Sequence, residues 1–387
     1  MITRSYPLGA ATSAAVDALI EVLRLDCDNV SSVEHDRSEA TLCVELVGHE
    51  HVERIDALVK STLRTQRFIA PRVVCEHRVE GVEIRDIDDA LAASPHLLRL
   101  GAGLCGLDGP LLALFQWFER RFRVLAASFG AREQHYPVLV PIELLEEVGY
   151  FAHFPQHATL CSHFPDSLPV LESVGSGARG ADGRLADSLA EHLCTPRHVL
   201  TPGVCLPCYR QLKGVALEPG EVRTLTMQNP VFRYEGAGFR PLARAWNFSV
   251  RDIVFFGAFE DLRERRRQVI EGCMSLCREL ELEVRVELAN DPFFLDASRD
   301  KAIYQRMGEV KYELLFDLPH RDQGLAAASF NLHRDFYTKI YDTRVADGEP
   351  AESACMGFGL ERWVYGFLTQ KGLDPANWPA AIAETVG

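Results

Sequence analysis

VFRYEGAGFRPLARAWNFSVRDIVFFG, residues 231–257, reads as two strands joined by a Gly- and Pro-containing loop. Strand side chains alternate, so Arg233 and Glu235 share one face of the first strand, and Phe248 and Asp252 share one face of the second. An arginine, a carboxylate and an aromatic ring therefore converge on one sheet surface. A guanidinium holds a phosphate through paired hydrogen bonds, and an aromatic ring stacks on a purine. Taken alone, an Arg/Glu pair on a strand is ordinarily a cross-strand ion pair, so a second segment has to decide.

That segment is AESACMGFGLERWVYGFL, 351–368, a strand, a G-x-G turn and a helix with Glu361 and Arg362 in its first turn. A helix N-terminus after glycines accepts anionic groups, and Arg362 adds a fixed positive charge. Upstream, 108–131 has the pattern of a long amphipathic helix, opened by Asp108 and stopped near Gly130, followed by a strand YPVLVP that ends at Pro141. Short β-rich runs recur at 196–201, 223–235, 244–257, 282–289, 309–317 and 325–331, with strong helices at 259–281 and 359–370. Strands in succession without regular βαβ alternation predict an antiparallel sheet flanked by helices, of the α+β class. Ahead of them, helical patterns at 13–25 and 50–66 and strand patterns at 40–47 and 70–79 predict a small N-terminal α+β unit, dividing the chain into 1–105 and 106–387.

The 387 residues carry 41 Lys+Arg against 55 Asp+Glu, a net charge of −14, which disfavours nonspecific nucleic-acid binding. No apolar run approaches the roughly 18–20 residues of a membrane-spanning helix, and a cytoplasmic protein is expected. The eleven cysteines are odd in number and scattered, which argues against a disulfide framework and leaves a thiol or metal role for a few of them open.

Taken in chain order, these segments resemble the catalytic domain of class II aminoacyl-tRNA synthetases. The helix and strand ending at Pro141 match its motif 1, FRYE and WNF its motif 2, and GFGLERW the G-x-G-x-x-R signature of motif 3. The resemblance spans roughly 108–370. It narrows at HVLTPGVCLPCY, 198–209, where Leu200, Pro202 and Cys205 fill a substrate-site pattern. Cys205, Asp252 and Cys355, spaced 47 and 103 residues apart, are similar to the Cys/Glu/Cys zinc set of methanogen-type seryl-tRNA synthetases and of their truncated relatives, the amino acid:[carrier protein] ligases. The resemblance thus implies Zn²⁺ held by Cys205, Asp252 and Cys355, with Asp252 one methylene shorter than the usual Glu. Considered alone, Cys205 and Cys355 also fit two small buried apolar residues, and Cys205 with Cys208 a redox C-x-x-C pair.

KYELLFDLP, 311–319, puts Lys311 and Glu313 on one strand face, and AASFNLHRDF, 327–336, does the same for Ser329 and Asn331. Alone these read as strand-surface polar residues. The resemblance implies that Glu313 and Ser329, with Asn331 beside them, bind the Mg²⁺ bridging the ATP phosphates. His333 and Arg334 are expected to be surface or structural residues.

The implied chemistry is ATP-dependent activation of a small amino acid as its adenylate. Arg233 would stabilise the α-phosphate and Arg362 the γ end, while Phe248 stacks on adenine and Glu235 accepts its amino group. The acidic composition, and the absence of a recognisable tRNA-binding module around the motifs, disfavour tRNA and favour a phosphopantetheinylated carrier protein as acceptor. A seryl-type tRNA ligase and a non-catalytic, synthetase-like regulatory or interaction protein are the alternatives. A homodimer through the motif 1 helix is expected. Arg263 to Arg267 form a basic cluster, which is either a docking site for an acidic carrier or a solvated helix face.

Overall fold

The strands expected after residue 196 assemble into one large sheet in the computed structural model, which describes residues 2–8, 16, 19–20, 23, 29–36, 39–66, 72–176, 186–234, 238–289, 309–319 and 321–384. Ahead of that sheet, β1 (Ile2–Pro7), β2 (Val30–Asp36) and β3 (Thr41–Leu46) form a small antiparallel sheet in the order β1-β3-β2. Alternation along β3 turns Leu42, Val44 and Leu46 inward against Ile55 and Val59 of the helix Val52–Gln66, a core separate from the rest.

The chain then enters the large sheet earlier than its local pattern indicates. β4 (Val73–His77) pairs with the distant strand Val284–Leu288. Ile87, Leu91 and Leu97, the last on the hairpin β5 (Leu97–Gly101) and β6 (Leu104–Leu107), pack into the main core. Within 73–105, grouped by spacing with the N-terminal unit, β4 pairs with the large sheet and Ile87, Leu91 and Leu97 pack into its core. The cause is a strand partner some 200 residues away, which no local periodicity announces.

The helix Gly109–Ser128 starts after Asp108 in extended backbone with Pro110 in its first turn, and the chain leaves it at Gly130, whose φ of +67° suits glycine. β7 (Arg132–Gln134) follows, and then a second small sheet, in the order β8-β10-β9, is made by β8 (Leu139–Pro141), β9 (Thr159–Cys161) and β10 (His198–Leu200). β11 (Arg223–Phe232), β12 (Asn247–Gly257), β13 (Val284–Leu288), β14 (Lys311–Leu318), β15 (Arg321–Arg334) and β16 (Glu352–Gly359) complete the eight-stranded sheet, in the order β4-β13-β14-β15-β16-β12-β11-β7. Every neighbouring pair is antiparallel except β7 with β11.

Period-two alternation splits this sheet into two faces. Ile253, Phe255, Phe330, Met356 and Phe358 turn toward the helices Gly109–Ser128, Phe259–Glu279 and Leu360–Lys371, where Phe118, Phe122 and Trp363 fill the core. On that face Arg251, 2% exposed, gives hydrogen bonds to both Glu119 oxygens and to Glu133 at 2.5–3.0 Å, tying the first of these helices to β12. Gly366 lets the last helix close on the sheet, since a Cβ there would lie 2.3 Å from the Phe316 ring. Gly366→Ala is therefore predicted to destabilise the protein by roughly 1–3 kcal/mol, because overpacking outweighs the gain of about 1 kcal/mol in helix propensity. A urea-unfolding midpoint equal to or above that of the wild type would refute this. Among the described residues no helix is long and apolar enough to cross a membrane.

Candidate active site

The opposite face carries the chemistry, and strand register decides which residues meet. Asp252, Gly357, Ser329 and Glu313 form one row across β12, β16, β15 and β14. Cys355, Asn331 and Lys311 form the next row, two residues further along the same strands. Both rows open into a cavity of about 320 Å³ that Cys205, Arg233, Phe248 and Arg362 also line.

Asp252 and Cys355 are buried in the floor, and Cys205 reaches them from the start of the short helix Leu206–Gln211. The two thiols and one carboxylate oxygen lie within 4.8 Å of one another, the one such group among the described residues that can hold a metal ion. Asp252, though one methylene shorter than a glutamate, thus reaches both thiols. Burial pushes its carboxyl up to about 6, against hydrogen bonding with the Cys205 and Cys355 thiols, which pulls the other way. The Cys355 thiol is pushed well above its ordinary range, first by hydrogen bonding with Cys205 and then by burial. Cys208 is fully buried one helical turn from Cys205 and lies outside the group of three.

Gly357 shapes the floor. A Cβ there would stand 2.8 Å from Asp252 Oδ1 and 3.4 Å from Ser329 Oγ, so a side chain would fill the space between them. The G-x-G segment is accordingly not the turn that its glycines predict. β16 runs through Gly359 and the helix begins at Leu360 without a loop, and Gly357 serves close approach on the strand rather than reversal of the chain.

The other end of the cavity holds the two arginines. Arg233, just past the end of β11, donates from Nε to the Pro202 carbonyl at 2.8 Å, with its guanidinium carbon 5.6 Å from the centre of the Phe248 ring. Arg362 donates from Nε to the Ala243 carbonyl and from Nη1 to the Ala326 carbonyl, both at 3.0 Å. Fixed carbonyl partners hold both guanidinium groups at the cavity wall. Glu235, expected to share the face of Arg233, lies outside the described residues. Lys311 Nζ stands 3.0 Å from Glu313 Oε1, and Asn331 donates from Nδ2 to Ser329 Oγ at 3.2 Å and to the Cys355 carbonyl at 3.4 Å.

Two features escape a reading of the sequence. His333, expected to be surface or structural, also lines the cavity wall, its Nδ1 sharing a 3.0 Å hydrogen bond with the buried Tyr209 hydroxyl. Continuing the alternation from Ser329 and Asn331 by one step would have found it. Arg334 is structural as expected, over the Phe259 ring and paired with Glu352. In the basic cluster, Arg263 and Arg267 are exposed and pair with Glu260 and Glu264, as a solvated helix face would, while Arg266 is buried against Tyr312. Pairs at i and i+3 on a helix were open to recognition.

The second feature is Glu361. Both its oxygens accept the backbone N–H of Ser249, at 2.9 and 2.8 Å, locking the helix after β16 to β12 between Phe248 and Asp252. Burial pushes this carboxyl up to about 7. A carboxyl whose folded value is raised contributes most below the ordinary carboxylate range, and that contribution is lost as pH rises through about 7. The stability of the wild type relative to Glu361→Gln is predicted to fall by on the order of 2–3 kcal/mol between pH 5 and pH 8. Urea-unfolding curves of both proteins across that range provide the test, and a constant difference would contradict it.

With this geometry established, comparison with known proteins places the chain. No protein-family model matches it. It is 28% identical over 277 residues to the type-2 serine–tRNA ligase of Methanothermobacter thermautotrophicus, covering 71% of this chain and 53% of that protein, so it spans about half the length of that relative. It is also 28% identical over 279 residues to amino acid–[acyl-carrier-protein] ligase 1 of Bradyrhizobium diazoefficiens, covering 71% of this chain and 83% of that protein. A crystal structure of the M. kandleri SerRS in complex with A. aeolicus tRNASec superposes with a TM-score of 0.72 at 22% identity, over 92% of this chain and 73% of that one, which shows a shared fold. The chain has the class II aminoacyl-tRNA synthetase catalytic fold and is a homologue of that class, related to its type-2 serine–tRNA ligases and to the amino acid–[acyl-carrier-protein] ligases.

Proposed function

We propose that the chain activates a small amino acid with ATP as its aminoacyl-adenylate and passes the aminoacyl group to the phosphopantetheine thiol of a carrier protein, with Zn²⁺ and Mg²⁺ as cofactors. The observation that carries this is a single cavity shared by the Cys205/Asp252/Cys355 group, Arg233 beside Phe248, and Arg362. Two thiols and a carboxylate suit zinc and leave a fourth tetrahedral position. Zinc bound there supplies a Lewis-acid site for the substrate's α-amino group.

The protein's own part is positioning and charge. The amino-acid carboxylate oxygen attacks the α-phosphorus of ATP, a new P–O bond forms, and the bond to pyrophosphate breaks. Arg233 faces the charge developing on the α-phosphate and Arg362 that at the γ end, each preorganised by carbonyl partners and so needing little rearrangement in the transition state. Phe248 stacks on adenine, with Glu235 assigned to its amino group. Glu313 and Ser329, with Asn331 beside them, are assigned to Mg²⁺, which takes few carboxylates when phosphate oxygens supply the rest. In the second step the thiol sulfur attacks the adenylate carbonyl carbon, the bond to AMP breaks, and the thiol proton passes to water. A homodimer through the helix Gly109–Ser128, where Val124 is exposed, completes the proposal.

The carrier protein is preferred as acceptor because the match covers most of the Bradyrhizobium ligase and the chain's charge of −14 opposes broad phosphate contact. The similarity to serine–tRNA ligases favours tRNA as the second reading. Incubation with ATP, Mg²⁺ and the activated amino acid, offered holo-carrier, apo-carrier and total tRNA, separates the two. A mass increase on holo-carrier alone is expected, whereas aminoacylated tRNA beside an unmodified holo-carrier would overturn the choice.

A further inference from the structure

The rows of the large sheet also order the cavity along its length. Phe248, Arg233 and Arg362 stand at one end, the row of Asp252 and Gly357 follows, and the row of Cys355, Asn331 and Lys311 lies beyond it. Nothing in the adenylate chemistry above uses Lys311. Yet this lysine is only 8% exposed, lines the cavity, and sits two strands from Cys355 with Asn331 between. At about 4.8 Å between strands, its Cα is about 10 Å from that of Cys355. His333 lines the same end, its ring anchored by Tyr209.

A buried ammonium on a cavity wall is costly to desolvate, and hydrogen bonding to an anion offsets that cost. Glu313 holds Nζ at 3.0 Å and fixes its place between the two rows. A site made for an apolar or absent side chain would wall this end with aliphatic groups. Here, beside Val310, Leu332 and Tyr337, it presents an ammonium, an amide and an imidazole.

We propose that the amino acid activated by this chain carries a side-chain carboxylate, and that Lys311 is the residue that reads it. This rests on the activation reading given above. With the α-amino group at the Cys205/Asp252/Cys355 group and the α-carboxylate turned toward Arg233, the side chain runs across Asn331 toward Lys311. Ordinary bond lengths put the carboxylate of a four- or five-carbon amino acid about 4–5 Å from its α-amino nitrogen, and an extended lysine stem spans about 6 Å, so the two together cover the interval. A site built to bind a polar group rejects analogues lacking it far more strongly than a pocket that measures one methylene.

The test is amino-acid-dependent pyrophosphate exchange by the full chain over the common amino acids, with calorimetric binding of aspartate, glutamate, alanine and serine alongside. Aspartate or glutamate is expected to exceed alanine, glycine and serine by roughly 50-fold or more in kcat/KM and to bind correspondingly tighter. In Lys311→Met the acid-to-alanine ratio is expected to collapse to below about 5, and Lys311→Arg, which keeps the charge, to restore part of it. Exchange strongest with glycine, alanine or serine, without calorimetric binding of either acid, would overturn the inference and leave the activation reading standing. So would an unchanged ratio in Lys311→Met, which would make Lys311 only the counter-ion of Glu313. Exchange with no amino acid at all would overturn the activation reading and this inference together.

Discussion

Cys205→Ser and Cys355→Ser are each expected to lower bound zinc from about one per chain to below about 0.1 and to reduce adenylate formation by at least about 10³-fold. The thiols are two of the three side chains to which the proposal assigns the zinc, and the remaining pair would not complete a tetrahedral set. Losing a supporting residue around a metal already costs roughly 10- to 100-fold in affinity or activity, and losing a direct ligand exceeds that. Cys208→Ser serves as the control, since Cys208 stands outside the group and should leave zinc in place. Metal analysis and pyrophosphate exchange on the same samples decide the matter. Stoichiometric zinc and full exchange in Cys205→Ser would remove the assignment.

Arg233→Ala and Arg362→Ala should each slow adenylate formation by on the order of 10²–10³, equivalent to about 3–4 kcal/mol of transition-state stabilisation. Arg233 donates to the Pro202 carbonyl and Arg362 to the Ala243 and Ala326 carbonyls, and thermal unfolding of each variant separates lost catalysis from a lost fold. The loss should fall on kcat rather than KM if the charge is met mainly in the transition state. Wild-type single-turnover rates in either variant would show that these arginines do not face the reacting phosphates.

Residue types and period-two alternation made much of this site legible. Asp252, Cys355, Ser329, Asn331, Lys311 and Glu313 all fall on the cavity face, as counting along each strand requires. Counting could not reveal which strands are neighbours. The row that places Glu313 opposite Ser329, Gly357 and Asp252 depends on four strands brought side by side from across more than a hundred residues. The same holds for the Tyr209–His333 and Glu361–Ser249 bonds, whose partners stand 124 and 112 residues apart. Gly357 was misread as a turn because glycine permits both reversal and close approach, and only the neighbouring Asp252 and Ser329 side chains distinguish the two. Helix Phe259–Glu279 contains five arginines and five acidic residues, so the solvated-face reading of Arg263 and Arg267 is legible once Glu260 and Glu264 are counted with them.

The most direct measurement of the central claim is amino-acid-dependent exchange of labelled pyrophosphate into ATP by the purified wild-type chain with Mg²⁺ and Zn²⁺. Adenylate formation predicts label in ATP that depends on at least one amino acid and disappears when that amino acid is omitted. A folded, zinc-loaded protein that gives no exchange above background with any amino acid would contradict it.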